Sequence, residues 1–332
     1  RHSTKLAGTP RLFAKRNYIL LPWTRSTKKW RHVLSRAASS TSLQKERPVR
    51  DVIIPLQYGH LAAKQWGPDH GQPVLALHDW FDNAASFEPL VAFLKPEFRI
   101  VSLDLTGHGL SSHLPPGSNY SRDRYVEDVL RAVDYLRWDT YAIVGHGMGA
   151  GVGYFLGSLQ PERVPRLVSL EGTFPAAPSS ARDPSQHKMD NTETFLRPWY
   201  TKVDVLRKMA SRGVSSKSAK LMMVRGCSSV GNGRYIFNAD RRVGCAETQV
   251  LYPGVFDKVL PRFQNSMLVL RRDAELVENT GCPNMDAVEA LIRCVGAEQC
   301  SRFSYIVVPG EKGIHWTKPD AVARIVNEFL CT

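Results

Sequence analysis

From residue 50 onward, short apolar runs alternate with stretches whose apolar residues recur at helical spacing. That alternation predicts an α/β fold with a mostly parallel central sheet flanked by helices. Val52-Ile53-Ile54-Pro55-Leu56 followed by Leu61-Ala62-Ala63-Lys64-Gln65-Trp66 reads as an opening hairpin. Runs at 73–78 and 99–104 read as the first buried strands, each closing in polar residues. Tyr125, Val129, Val133 and Leu136 form one stripe of a helix over 121–137, which leads into a third strand at 141–144. A helix follows at 149–159, small on one side and so able to pack closely on a sheet. Further strands are expected at 167–171, 267–270 and 303–308, with a closing helix at 319–330.

Residues 173–265 separate the fourth and fifth strands and are mostly helix-compatible, rich in Lys, Arg, Ser and Met. A connection of that length in a compact domain is usually a functional insertion. It predicts a helical cap over the mouth of a site, inserted into a core made of 50–172 and 266–332, with residues 1–49 as a basic leader.

Charge sharpens that division. The 332 residues carry a formal net charge of +13, yet residues 1–45 hold eleven Lys or Arg and no acid, leaving 33 basic against 31 acidic residues in the rest. The body is nearly neutral, and the leader has no aromatic interleaving of a folded module, so a nucleic-acid partner is not expected. An acid-free leader rich in Arg, Ser and Thr fits a mitochondrial transit segment. The alternative is a disordered basic tail on a cytoplasmic or peroxisomal protein. No apolar run approaches the roughly 18 residues that a membrane span needs. Six cysteines show no CxxC pair and no ligand spacing with histidine, so neither a disulfide scaffold nor a metal site is expected.

Candidate chemistry begins at "VGHGMGAG", residues 144–151, where a strand runs into a helix. Gly145-His146-Gly147-Met148-Gly149 has the spacing of G-x-S-x-G, the strained turn that exposes a nucleophilic serine, with glycine in the serine's place. The same glycines lack the downstream spacing of a dinucleotide loop, so no cofactor is implied. His78-Asp79-Trp80 follows the first buried strand, "DLTGHGLSS" the second, and "GEKGIH" brings a late histidine, His315.

In this order the motifs resemble the α/β-hydrolase superfamily. "HDWFDNAASF", "GHGLSSHLPPG" and "YTKVDVLRKMASRG" look more narrowly like its serine hydrolase-like (kraken-type) family. The resemblance covers roughly residues 50–330 and implies an ester-type hydrolase in which a serine attacks, a histidine takes its proton and an acid orients the histidine, in the chain order serine, acid, histidine. It puts the nucleophile at Gly147 and the histidine at His315. Asp273 is the favoured acid and Glu171 the alternative. The oxyanion donors would be the N–H groups of Met148 and Trp80. His146 is expected to project into the scaffold, and His78, Asp104 and His108 to fix turns.

Two residues depart from that family's pattern. Glycine at 147 has no atom with which to attack a carbonyl, and losing the nucleophile of a triad costs on the order of a millionfold in turnover. Asp79 stands where the family has glycine, beside the place an oxyanion would grow. Like charges about 4 Å apart repel by roughly 4 kcal/mol at an effective dielectric near 20. Serine-dependent activity is therefore expected to be absent. The remaining role is binding of a small apolar or ester-like ligand in a capped pocket near Trp80, Phe81, Phe174, Leu221, Met222 and Met223. The alternatives are hydrolysis by water that His315 activates, or a natural form with serine at 147. Oligomeric state is not indicated.

Overall fold

The structure is a computed structural model that describes residues 47–172, 198–244, 258–272 and 285–332. The strands are β1 (Val49–Leu56), β2 (Gly59–Trp66), β3 (Gln72–Leu77), β4 (Phe98–Leu103), β5 (Ala142–His146), β6 (Arg166–Leu170), β7 (Tyr200–Thr201), β8 (Cys227–Ser229), β9 (Arg234–Phe237), β10 (Ser266–Arg272) and β11 (Arg302–Val308). The helices of two turns or more are α1 (Arg122–Tyr135), α2 (Met148–Leu159), α3 (Lys202–Ala210), α4 (Ser216–Gly226), α5 (Met285–Gln299) and α6 (Pro319–Cys331).

Eight strands form one sheet in the order β1-β2-β4-β3-β5-β6-β10-β11. The opening hairpin β1–β2 is antiparallel, and the pairs from β4 through β11 are parallel. Parallel strands bury both faces, which is why β5 is apolar up to its terminal His146 and wholly buried. One face packs Leu75, Leu77, Val101 and Ile143 against α1 and α2 through Tyr125, Val129, Val133 and Val152. The other packs Val74, Ala76, Val144 and Val168 against Val322, Ile325, Val326 and Phe329 of α6.

The chain goes from β3 outward to β4, then returns to the other side of β3 as β5. The loops that leave β3 and β5 therefore diverge around one crevice at the carboxyl ends of the strands, the usual ligand position in open α/β sheets. Close approach of α2 to β3 deepens it: a Cβ added at Gly149 would lie 2.1 Å from the Leu77 carbonyl oxygen.

The segment 198–244 is not wholly helical as its composition suggested. β7, β9 and β8 form a three-stranded antiparallel sheet beside α3 and α4. Gly231, Asn232 and Gly233 all have positive φ, and this turn chemistry folds the run Arg234–Phe237 back as a strand. Thr201 and Asp204 form a reciprocal cap at the start of α3. Val205, Met209, Val214, Ala219, Met222 and Met223 make a small core that also includes Trp316. Arg225 fastens α4 to the main sheet: Nε donates to Asp104 Oδ2 at 3.0 Å and Nη2 lies 2.8 Å from the same oxygen. Helix α5, which the sequence pattern had not marked, is the crossover that parallel β10 and β11 require. Among the described residues, no helix is long and apolar enough to cross a membrane.

Candidate functional site

β5 ends at His146, α2 starts at Met148, and Gly147 between them has φ 50 and ψ −114. This region is strained for any residue with a Cβ. The turn is fixed by its neighbours: Gly147 N–H donates to the Leu170 carbonyl at 3.2 Å and Gly149 N–H to that of His78 at 3.1 Å. The sequence-expected elbow is therefore formed, without a nucleophile.

Over it lies Asp79, from the loop after β3. Its Oδ1 accepts the N–H of Met148 at 2.8 Å. A Cβ built on Gly147 would stand 2.0 Å from that oxygen and 2.2 Å from the carboxylate carbon. Asp79 as a residue is only partly buried, but its carboxylate is enclosed. Burial pushes its pKa up. The positive His146 outweighs that together with the N–H groups of Met148 and Trp80 and the charge of Lys312, so the group sits below the usual carboxylate range. Sequence reasoning anticipated a carboxylate beside the oxyanion position; here it accepts the N–H of Met148, one of the two donors that the resemblance implies for that position.

The loop holding Asp79 is itself held. His78 Nε2 accepts the Leu105 N–H at 3.0 Å, which leaves Nδ1 to donate to the Asp79 carbonyl at 2.6 Å. Trp80 Nε1 donates to the Val243 carbonyl at 3.0 Å. Asp104, fully buried, accepts the Ala84 N–H at 2.7 Å and the Leu110 N–H at 2.9 Å. His108 faces the Thr106 carbonyl at 3.1 Å.

Behind Asp79 sits a buried charge cluster. His146 Nδ1 is 3.7 Å from Asp82 Oδ2 and Nε2 is 3.6 Å from Glu171 Oε2, ion pairs too long to be hydrogen bonds. Burial would lower the His146 pKa, but Asp82, Glu171 and Asp79 raise it to about 10. His146 is thus a buried imidazolium at neutral pH. Glu171 has φ 48 at the end of β6, and its Oε2 accepts the N–H groups of Gly313 at 2.7 Å and Ile314 at 3.0 Å. Burial pushes its pKa up, and His146 and these two donors bring it below the usual range.

His315 is fully buried, and neither ring nitrogen has a hydrogen-bond partner among the described residues. Its ring lies 4.4 Å from that of His146, 4.4 Å from Trp316 and 5.1 Å from Phe87. Burial, then the charge on His146, hold its pKa well below the ordinary histidine value, so it is neutral. Ligand atoms of His146, Glu171 and His315 fall within 4.8 Å of one another, which puts the alternative acid near this histidine. The favoured acid, Asp273, lies outside the described residues, as does Phe174. The basic group of this loop that acts on Asp79 is Lys312.

A cavity of about 560 Å³ opens beside the cluster, between the loop after β3 and the segment 198–244. Phe81, Met209, Met222 and Phe237 give it apolar walls, and Asp82 links it to His146. Phe81 and Met222 were expected there. Met222 and Met223 both pack in the small core beside it, and Trp80 packs against the main one. Asp82, Lys312 and Arg225 were not anticipated: Asp82 stood in the "HDWFDN" stretch as one polar residue among several, and the others gain meaning only from tertiary contacts.

A family profile of the alpha/beta hydrolase fold matches residues 72–216. The chain is 30% identical over 304 residues to the serine hydrolase-like protein of Danio rerio, covering 87% of this chain and 91% of that one. It is 28% identical over 306 residues to serine hydrolase-like protein 2 of Homo sapiens, covering 86% and 95%. Among solved structures, a hypothetical protein of Pseudomonas aeruginosa PAO1 superposes with a TM-score of 0.70 at 29% identity, covering 85% of this chain and 99% of that one. An esterase of Mycobacterium tuberculosis, at 21% identity and a TM-score of 0.66 over 91% of this chain and 97% of that one, shares the fold.

Proposed function

We propose, for a chain that belongs to the serine hydrolase-like family of α/β hydrolases, that ligand binding has replaced serine-dependent ester hydrolysis. The observation that carries this reading is the Asp79 carboxylate on the Met148 N–H above a side-chain-free Gly147. Acyl transfer needs a nucleophile and empty donors aimed at the developing oxyanion. Position 147 supplies no nucleophile, and a donor of the hole already holds an anion. Removing one such donor from a working enzyme costs about a hundred- to a thousandfold in turnover. An ionised group lodged on it acts in the same direction. What the scaffold retains is the 560 Å³ cavity, within the usual size of small-molecule sites, and the segment 198–244 is the described part of a cap over it.

The test is hydrolysis of p-nitrophenyl acetate and butyrate by the full chain, with and without a fluorophosphonate. Turnover at the buffer rate with no covalent labelling supports the proposal. A rate above buffer that disappears in His315→Ala would establish the water route and overturn it.

A further inference from the structure

The two histidines of the cluster behind Asp79 lack the partners that burial demands. Among the described residues, His315 is the one side chain with two enclosed atoms, Nδ1 and Nε2, that no group bonds, and Nδ1 of His146 is a further such atom in the same cluster. A neutral imidazole carries one donor and one acceptor, and burying both without partners is unfavourable. The two rings meet all the same, with centroids 4.4 Å apart and planes tilted by 56°. The charge of His146 disfavours a proton on His315, so the contact gains nothing from ionisation of the pair. A shared cation that takes both rings as neutral ligands would account for it.

Glu171 supplies an anion at the same point. A carboxylate has acceptor positions for about four donors. Oε2 accepts the N–H groups of Gly313 and Ile314, and Arg272 Nε stands 3.7 Å from Oε1, beyond hydrogen-bond reach. His146 Nε2 lies 3.6 Å from Oε2. That is long for a hydrogen bond, but two ligands of a tetrahedral ion with bonds of about 2.0–2.2 Å stand about 3.4 Å apart. His146, Glu171 and His315 all offer ligand atoms within 4.8 Å of one another. On the other ring nitrogen, His146 Nδ1 lies 3.7 Å from Asp82 Oδ2, the arrangement in which a carboxylate orients a metal-bound imidazole.

We infer that His146 Nε2, Glu171 and His315 hold one divalent transition ion of the Zn²⁺ type. Two imidazole nitrogens and one carboxylate oxygen suit zinc, whereas Mg²⁺ and Ca²⁺ take oxygen ligands. The ion displaces the Nε2 proton of His146 to solvent. Asp79, Asp82 and Glu171, which favour that proton, favour a dication in its place. Arg212 and Arg272 face the carboxylate oxygens of Asp82 and Glu171 that His146 does not. Glu171 is the one member of the three that is not fully buried, so the ion enters on its side. Bound there, it ties the loop after β11 to the ends of β5 and β6 and makes a ligand of the histidine that the resemblance assigns as a base. This site stands apart from guest binding in the cavity. Cysteine and histidine spacing gave no sign of it, because the ligands come from three loops that meet only in the fold.

The test is titration of the chelator-treated full chain with zinc chloride, read by competition with a chromophoric chelator, by elemental analysis and by X-ray absorption at the zinc edge. The parent is expected to bind one zinc per chain, with two imidazoles and oxygen around it and no sulfur. His315→Gln is expected to weaken binding by about a hundredfold or more, and Asp82→Asn by about ten- to a hundredfold, the range for a carboxylate behind a ligating histidine. No zinc bound by the parent would overturn the site. So would a shell with sulfur, which places the ion at cysteine, or with a single imidazole, which places it at Asp79, Asp82 and His146. Unchanged affinity in His315→Gln would overturn it as well. The absorption measurement needs only the parent and decides even where a variant fails to fold.

Discussion

The carboxylate of Asp79 fills the space in which a side chain at Gly147 would begin: the distance from its Oδ1 to an ideal Cβ there is 2.0 Å. The two departures from the family pattern are far apart in sequence and read there as independent. In space they are one arrangement, because Asp79 in this position requires glycine at 147. Gly147→Ser alone is therefore expected to destabilise the fold by about 1–3 kcal/mol, from overpacking and a φ of 50 on a residue with a Cβ. Asp79→Gly in the same chain relieves the clash. A double-mutant cycle by urea denaturation should give a coupling energy of about 1–3 kcal/mol that favours the pair. Additive effects would show that Asp79 moves aside freely.

The buried histidines divide by charge. His146, raised to about 10, is expected to remain an imidazolium through pH 8, while His315 stays neutral down to pH values well below 6.5. The sign for stability follows. A folded pKa above the unfolded one contributes stability that is complete below about 6.5 and is lost as pH rises toward 10. Glu171 and Asp79, both depressed, contribute stability that is lost as pH falls through their folded values. Histidine ring NMR against pH checks the protonation states. Denaturation midpoints from pH 6 to 10 should decline in the parent and decline less in His146→Phe.

The sheet was legible because parallel strands are buried on both faces and read as uninterrupted apolar runs such as Ala142-Ile143-Val144. The elbow was legible because its glycines and its position between strand and helix are local features. Asp79 was recognisable as a departure, but its place on the Met148 N–H depends on how the loops after β3 and β5 meet. Lys312 and Asp82 could not be singled out, since neither has a local pattern and both acquire a role through residues more than sixty positions away. The small sheet was missed for a different reason. Its Gly231-Asn232-Gly233 turn was present, but the Lys, Arg and Ser around it read as helix surface.

Arg225 offers a test of how the segment 198–244 is held. Its side chain is 5% exposed and its partner oxygen belongs to Asp104, which is wholly buried. Removing one member of a buried ion pair leaves the other charge uncompensated, at a cost of about 3–5 kcal/mol. Arg225→Met is expected to lower stability by that order and to open the segment to limited proteolysis. Arg225→Lys keeps the charge but loses the Nε contact and should fall between the two.

Rebuilding a nucleophile raises the question of which base would serve it. The resemblance assigns that role to His315, yet in the structure its ring contacts are His146, Phe87 and Trp316. The group of the same loop whose charge reaches Asp79, and so the elbow, is Lys312. The ammonium of a lysine offers donors and no acceptor, so it does not take a serine proton. Asp79→Gly/Gly147→Ser is therefore expected to react slowly with a fluorophosphonate. Adding Lys312→His should accelerate labelling by about a hundred- to ten-thousandfold, the range a positioned general base supplies. Mass spectrometry of labelled protein against time measures both rates. If the double variant already labels quickly and loses its rate in His315→Ala, then His315 reaches the elbow in solution and is the base that the resemblance implies.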